Sequence, residues 1–128
     1  MNTLVILAAG NGTRFGGPKQ LMGFGPLNRP LMAYNIDYAY QAGYRKFIIV
    51  CQEKHQSTIK KSPFYQYYND CEYHIVIQQN QCLPESVVPT ITHNKPLGTA
   101  HALWCCHQII DDNFTVINGD DYYGAHAY

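Results

Sequence analysis

Leu7-Ala8-Ala9-Gly10-Asn11-Gly12-Thr13-Arg14-Phe15-Gly16-Gly17-Pro18-Lys19 is the stretch on which the fold turns. The run from Thr3 to Leu7 that leads into it is apolar and β-branched and stops at glycine, which reads as a buried strand. From Gly10 to Gly25, six glycines and the cations Arg14 and Lys19 fall within sixteen residues. Glycines let a backbone double back and bring its amides close to an anion. Two cations in the same loop suit a polyphosphate better than a neutral ligand. The plainer reading is a strand-to-helix turn with two solvated basic side chains, and the density of glycines and cations argues against it.

Downstream of the loop, Pro30 stands where a first helical residue would, followed by Leu31, Tyr34, Ile36, Tyr38 and Ala39 at roughly helical spacing. Gly43 stops that helix. Lys46 to Cys51 reads as a second strand, Gln52 to Lys61 as a polar helix ending before Pro63, and Tyr73 to Gln78 as a third strand. A loop with Pro84, Pro89 and Pro96 leads to Gly98-Thr99, where Thr99 caps a helix running to about Ile110. Phe114 to Asn118 is a fourth strand, closed by Gly119-Asp120-Asp121.

Strands alternating with helices predict one domain over residues 1–128: a Rossmann-like three-layer α/β/α fold with a mostly parallel sheet. Ligands of such sheets bind beyond the carboxyl ends of the strands, where the strand order reverses. The glycine loop, Gln78-Gln79 and Asp120-Asp121 all fall at such ends. If the first and fourth strands are neighbours, loop and aspartates lie about 5 Å apart in the sheet direction.

Two familiar phosphate loops do not fit. The dinucleotide fingerprint needs a glycine where Phe15 stands, a helix that opens at once, and an acidic residue ending a strand, whereas Asp37 falls within the helix after Pro30. The Walker loop needs lysine where Pro18 stands.

The loop instead resembles the signature of the sugar-phosphate nucleotidyltransferases, the pyrophosphorylases that make nucleotide sugars. Leu7-Ala8-Ala9-Gly10-Asn11-Gly12-Thr13-Arg14 followed by Lys19 is close to a complete match. The resemblance continues at Pro30-Leu31, Ala42-Gly43-Tyr44, Gln78, Pro96-Leu97-Gly98-Thr99-Ala100 and Asn118-Gly119-Asp120-Asp121-Tyr122-Tyr123-Gly124, and is weakest between Glu53 and Tyr73. It implies a truncated, GT-A-like nucleotidyltransferase fold with the sheet in the order 3-2-1-4. In it Leu7, Ala8, Ala9 and Gly10 would hold base and ribose, Gly12, Thr13 and Arg14 would wrap the triphosphate, and Lys19 would neutralise charge near the α-phosphate. Gln78 and Gly98 would meet the base edge, with Thr99 opening a helix, and Asp120 would bind catalytic Mg²⁺, Asp121 in support. The implied reaction passes a nucleotidyl group from a nucleoside triphosphate to a phosphorylated sugar, or a similar phosphate acceptor, and releases pyrophosphate. Catalysis would rest on Arg14, Lys19 and Asp120.

Members of that family are longer, and their further strands carry the acceptor pocket and usually a second acidic metal ligand. The chain is therefore expected to supply the nucleotide-binding half, to turn over slowly or not at all, and to self-associate through the edge of its fourth strand. The alternative is a nucleotide-binding or regulatory module without chemistry. A dinucleotide oxidoreductase ranks third, weakened by Phe15 and the long loop.

Composition bounds these readings. Lys plus Arg and Asp plus Glu number nine each, so the basic excess of a nucleic-acid binder is missing. Five cysteines without CxxC spacing fit a reducing compartment better than a disulfide framework. Residues 1–10 have no basic leader, and no apolar run approaches the ~18 residues of a membrane span. These features predict a cytoplasmic protein. His101 and Cys105, four apart, lack a third metal ligand, and Trp104 reads as packing. So do Tyr65, Tyr67 and Tyr68, while His55, His74, His93 and His126 carry no spacing signal.

Overall fold

A computed structural model describes residues 2–8, 23–24, 29–78, 99–110, 113–119, 123–124 and 127–128. Its elements are β1 (Thr3–Ala8), β2 (Gly23–Phe24), β3 (Arg29–Pro30), α1 (Leu31–Gln41), β4 (Lys46–Cys51), α2 (Glu53–Lys60), β5 (Glu72–Ile77), α3 (Thr99–Cys105) and β6 (Phe114–Asn118). Four of the strands form one parallel sheet in the order β5-β4-β1-β6. This is the 3-2-1-4 order expected from the sequence. The short β2 and β3 pair antiparallel as a separate ribbon.

The middle strands explain why their sequences are apolar throughout. β4 is buried at every position, because helices cover both faces and strands flank both edges. Alternate residues divide between two cores, as the pleat requires. Leu4, Ile6, Ala8, Phe47, Ile49 and Cys51 face one side, against Met32, Ala33, Ile36 and Ala39 of α1 and Ile59 of α2. Val5, Ile48 and Val50 face the other, against Ala102 and Cys106 at α3.

Chain direction along the sheet reverses accordingly. From β1 the chain steps outward to β4 and β5 with α1 and α2 on one face, then returns past β1 to β6 with α3 on the opposite face. The strand order therefore reverses between β1 and β6, and a ligand crevice belongs beyond their carboxyl ends.

Helix ends refine the sequence reading by a residue or a turn. α1 opens at Leu31, one residue after Pro30. It closes at Gly43, whose φ of 106° lies in the left-handed region. There Gly43 N–H donates to Tyr40 O at 3.0 Å and Tyr44 N–H to Ala39 O at 3.0 Å, the paired bonds of a Schellman cap. α2 is bracketed by Gln52 and Lys61 as caps. α3 stops at Cys105, short of the expected Ile110. Its chain tightens into turns in which Cys106 N–H donates to Leu103 O at 3.0 Å and Lys46 Nζ donates to Ile109 O at 2.6 Å. Thr99 is the first helical residue there and not the residue before it.

Of the tyrosines after α2, Tyr65 and Tyr68 pack against the core under α1 and α2, whereas Tyr67 is 67% exposed. Tyr68 stacks on Tyr40 at 3.7 Å between ring centroids, and the Arg45 guanidinium lies 3.9 Å from the centroid of the Tyr40 ring. Arg45 precedes β4, so this cluster sits at the amino end of the sheet, away from the crevice. Among the described residues, no helix is long and apolar enough to cross a membrane.

Candidate functional site

At the carboxyl end of the sheet, β1 and β6 run side by side to their last residues. Leu7 pairs with Asn118, and Gly119 N–H then donates to Leu7 O at 2.9 Å. Gly119 is buried, and a Cβ on it would stand 3.2 Å from Ile6 Cγ2, 3.3 Å from Leu7 O and 3.4 Å from Ala8 Cβ. The two strands thus close up so tightly at the switch point that a residue without a side chain is favoured. In the sequence, Ala9-Gly10 follow the first of these ends and Asp120-Asp121 the second. Just before that end, the outward backbone N–H of Asn118 donates to the Tyr123 hydroxyl at 3.0 Å, which occupies one donor on the edge of β6.

On the other side of β1, β4 ends in Cys51, whose thiol is pushed up to about 11 by burial and is no nucleophile at neutral pH. Gln78 extends β5 by one rung, its N–H donating to Cys51 O at 3.0 Å. The alternation along β5 sends Val76 to the α3 face, and Gln78 follows it two residues on. There its carboxamide Nε2 lies 3.0 Å from His101 Nδ1. His101 is only 9% exposed, and its Nε2 is 3.8 Å from Cys105 Sγ, one helical turn along α3. These contacts are consistent when the ring proton sits on Nε2: Nδ1 then accepts from the amide and Nε2–H points at the sulfur.

Of the residues singled out in the sequence, Leu7, Ala8 and Gln78 lie at the carboxyl end of the sheet, and Thr99 opens α3. Ala9, Gly10, Gly12, Thr13, Arg14, Lys19, Gly98 and Asp120 lie outside the described residues. Among the described residues, no three His, Cys, Asp or Glu side chains gather into a group that could hold a metal ion. The sequence alone gives His101 no role, yet its ring meets the Gln78 carboxamide. The available signal was a polar residue opening an apolar helix and another closing an apolar strand, both at the ligand-binding end.

Comparison with known proteins agrees with this arrangement. A family model described as nucleotidyl transferase matches residues 3–128. The UTP–glucose-1-phosphate uridylyltransferase of Bacillus subtilis (strain 168) is 29% identical over 131 residues, covering 91% of this chain and 43% of that protein. Its namesake from Komagataeibacter xylinus is 28% identical, covering 91% of this chain and 45% of its own. The chain therefore spans less than half the length of these relatives. Among solved structures, a putative glucose-1-phosphate thymidylyltransferase from Bacillus anthracis superposes with a TM-score of 0.74 at 18% identity, over 97% of this chain and 46% of that one. The inositol-1-phosphate CTP transferase from T. maritima gives 0.70 at 18% identity, over 98% and 46%. These likenesses establish a shared fold.

Proposed function

Because the chain belongs to the nucleotidyl transferase family, we propose that it supplies the nucleoside-triphosphate-binding half of an enzyme that transfers a nucleotidyl group to a phosphorylated sugar or a similar phosphate acceptor. The observation that carries the reading is the pairing of β1 with β6, which ends with Gly119 against Leu7 and Ala8. β1 ends just before Ala9-Gly10 in the sequence and β6 with its Gly119 just before Asp120-Asp121, and this adjacency of the two strand ends supports the reading. The names of the two uridylyltransferase relatives make UTP and glucose 1-phosphate the first donor and acceptor to try.

In the reaction, an oxygen of the acceptor phosphate attacks the α-phosphorus in line. One phosphorus–oxygen bond forms, the bond to the bridging oxygen breaks, and pyrophosphate leaves with the electron pair. Such a transfer needs positioning and charge neutralisation more than a general base. In this reading Leu7, Ala8, Ala9 and Gly10 seat base and ribose through backbone groups, with Gln78, Gly98 and Thr99 at the base edge. Gly12, Thr13 and Arg14 enclose the triphosphate, and Lys19 faces the α-phosphate and the departing pyrophosphate. Asp120 holds the metal. Aspartate oxygens beside a triphosphate are the hard donor set that Mg²⁺ prefers, since it binds through one or two carboxylates and phosphate oxygens and keeps several waters. When bound, Mg²⁺ supplies neutralisation of the phosphate charge.

Titration with UTP, CTP, dTTP, ATP and NAD, with and without Mg²⁺, tests the proposal. A nucleoside triphosphate is expected to bind in a Mg²⁺-dependent way, with affinity falling at least ~10-fold in Arg14→Ala, the scale of a lost charge-assisted contact. Pyrophosphate release on adding glucose 1-phosphate would then separate an enzyme from a binding module. Binding of NAD indifferent to Mg²⁺, with no triphosphate binding, would contradict the proposal.

A further inference from the structure

His101, which is buried, and Gln78, which is half-buried, form a polar pair on the α3 face of the sheet, 23 residues apart in sequence and 3.0 Å apart in space. A primary carboxamide is nearly symmetric in shape and antisymmetric in hydrogen bonding, since rotation by half a turn exchanges its acceptor and donor. Uracil and thymine carry N–H at ring position 3 and a carbonyl at position 4. Cytosine carries a lone pair at position 3 and an amino group at position 4. A glutamine whose amide can turn either way pairs with both. One whose amide nitrogen is anchored pairs well with one and poorly with the other.

We propose that His101 is a positioning residue for nucleobase selection: by accepting from Gln78 Nε2 at Nδ1, it fixes the carboxamide orientation and so separates 4-oxo from 4-amino pyrimidines. The inference rests on the reading that Gln78 meets the base. Two features support the anchoring. The ring is 9% exposed, so water competes poorly as a replacement partner for the amide. Cys105 Sγ, 3.8 Å from Nε2, can receive the ring proton of that nitrogen, the tautomer in which Nδ1 accepts from the amide. Turning the amide over would set an oxygen lone pair against the Nδ1 lone pair.

The test is calorimetric titration of Mg²⁺–UTP and Mg²⁺–CTP into the unchanged protein and into His101→Leu, His101→Phe and His101→Asn, with circular dichroism confirming the fold. The unchanged protein is expected to favour one nucleotide by ~10-fold or more, as one bidentate contact does. His101→Leu should bring the two affinities within about twofold, a loss of one oriented contact. His101→Phe keeps the ring volume without an acceptor and gives the same readout if the leucine variant does not fold. His101→Asn, whose Oδ1 takes the place of Nδ1, should retain the preference, which a packing role would not predict. Equal affinities in the unchanged protein, or a preference that survives in folded His101→Leu or His101→Phe, would overturn the proposal. If the unchanged protein bound neither nucleotide, the nucleotide-binding reading itself would fall with it.

Discussion

Gly119 is held where a Cβ would crowd its neighbours by a few tenths of an ångström. A methyl group there would press on Ile6 Cγ2 at 3.2 Å, which can rotate, and on Leu7 O at 3.3 Å, which belongs to the β1 ladder and cannot move alone. Gly119→Ala is expected to cost about 1–3 kcal/mol, the range for overpacking. It should appear as a lower denaturant midpoint at constant slope, and an unchanged midpoint would contradict the tight closure. Tyrosines give a second prediction at this scale. Burial first, then the hydrogen bond to Asp37, raises the pKa of Tyr68, and burial raises that of Tyr128. Both hydroxyls donate, Tyr68 to Asp37 Oδ1 at 2.7 Å and Tyr128 to the buried Asn35 Oδ1 at 2.9 Å. Since the unfolded chain loses these protons first, the stability they contribute is fully present below about pH 10 and is lost as pH rises above it. Denaturant midpoints should therefore fall above that pH, and less steeply in Tyr68→Phe and Tyr128→Phe. A midpoint independent of alkaline pH would exclude the effect.

At the scale of elements, the cap of α1 is the clearest case of sequence dictating structure. Gly43 was legible as a stop because φ of 106° suits glycine, and nothing lies within 4 Å of where its Cβ would be. Gly43→Ala should consequently cost about 1 kcal/mol from backbone conformation alone. A neutral result in thermal unfolding would mean the turn relaxes. The six-residue strands β1 and β4 were legible because burial on both faces demands continuous apolar sequence. The β2–β3 ribbon was not, since two-residue strands containing Gly23 and Pro30 show no periodicity. The end of α3 was misjudged for a different reason. Ile109 and Ile110 continue the apolar pattern, but the buried Lys46 takes the Ile109 carbonyl and the chain must turn to enter β6. That contact joins residues 63 apart, and no local window contains it.

For the molecule as a whole, alternation of strands and helices was enough to give the parallel, two-faced sheet. The adjacency of β1 and β6 is a pairing of residues more than a hundred positions apart, such as Thr3 with Phe114, and local pattern is silent about it. That adjacency was legible only through the order of motifs resembling a known family. It also makes β6 one of the two edges of the four-stranded sheet among the described strands, where Tyr123 already occupies the Asn118 N–H. The same long-range geometry explains why the Gln78–His101 pair escaped the sequence reading, whereas Leu7, Ala8 and Gln78 fell at the expected end of the sheet.

The central claim is that the segment after β1 and the acidic pair after β6 act on one magnesium–triphosphate. A double-mutant cycle on Mg²⁺–UTP affinity with Arg14→Ala, Asp120→Ala and the combined variant measures this directly. If both residues serve the same bound polyphosphate, the combined loss should fall short of the sum of the single losses by about 0.5–3 kcal/mol. Losses that simply add, or an Asp120→Ala variant that binds as well as the unchanged protein, would place the two residues at separate tasks and contradict the account.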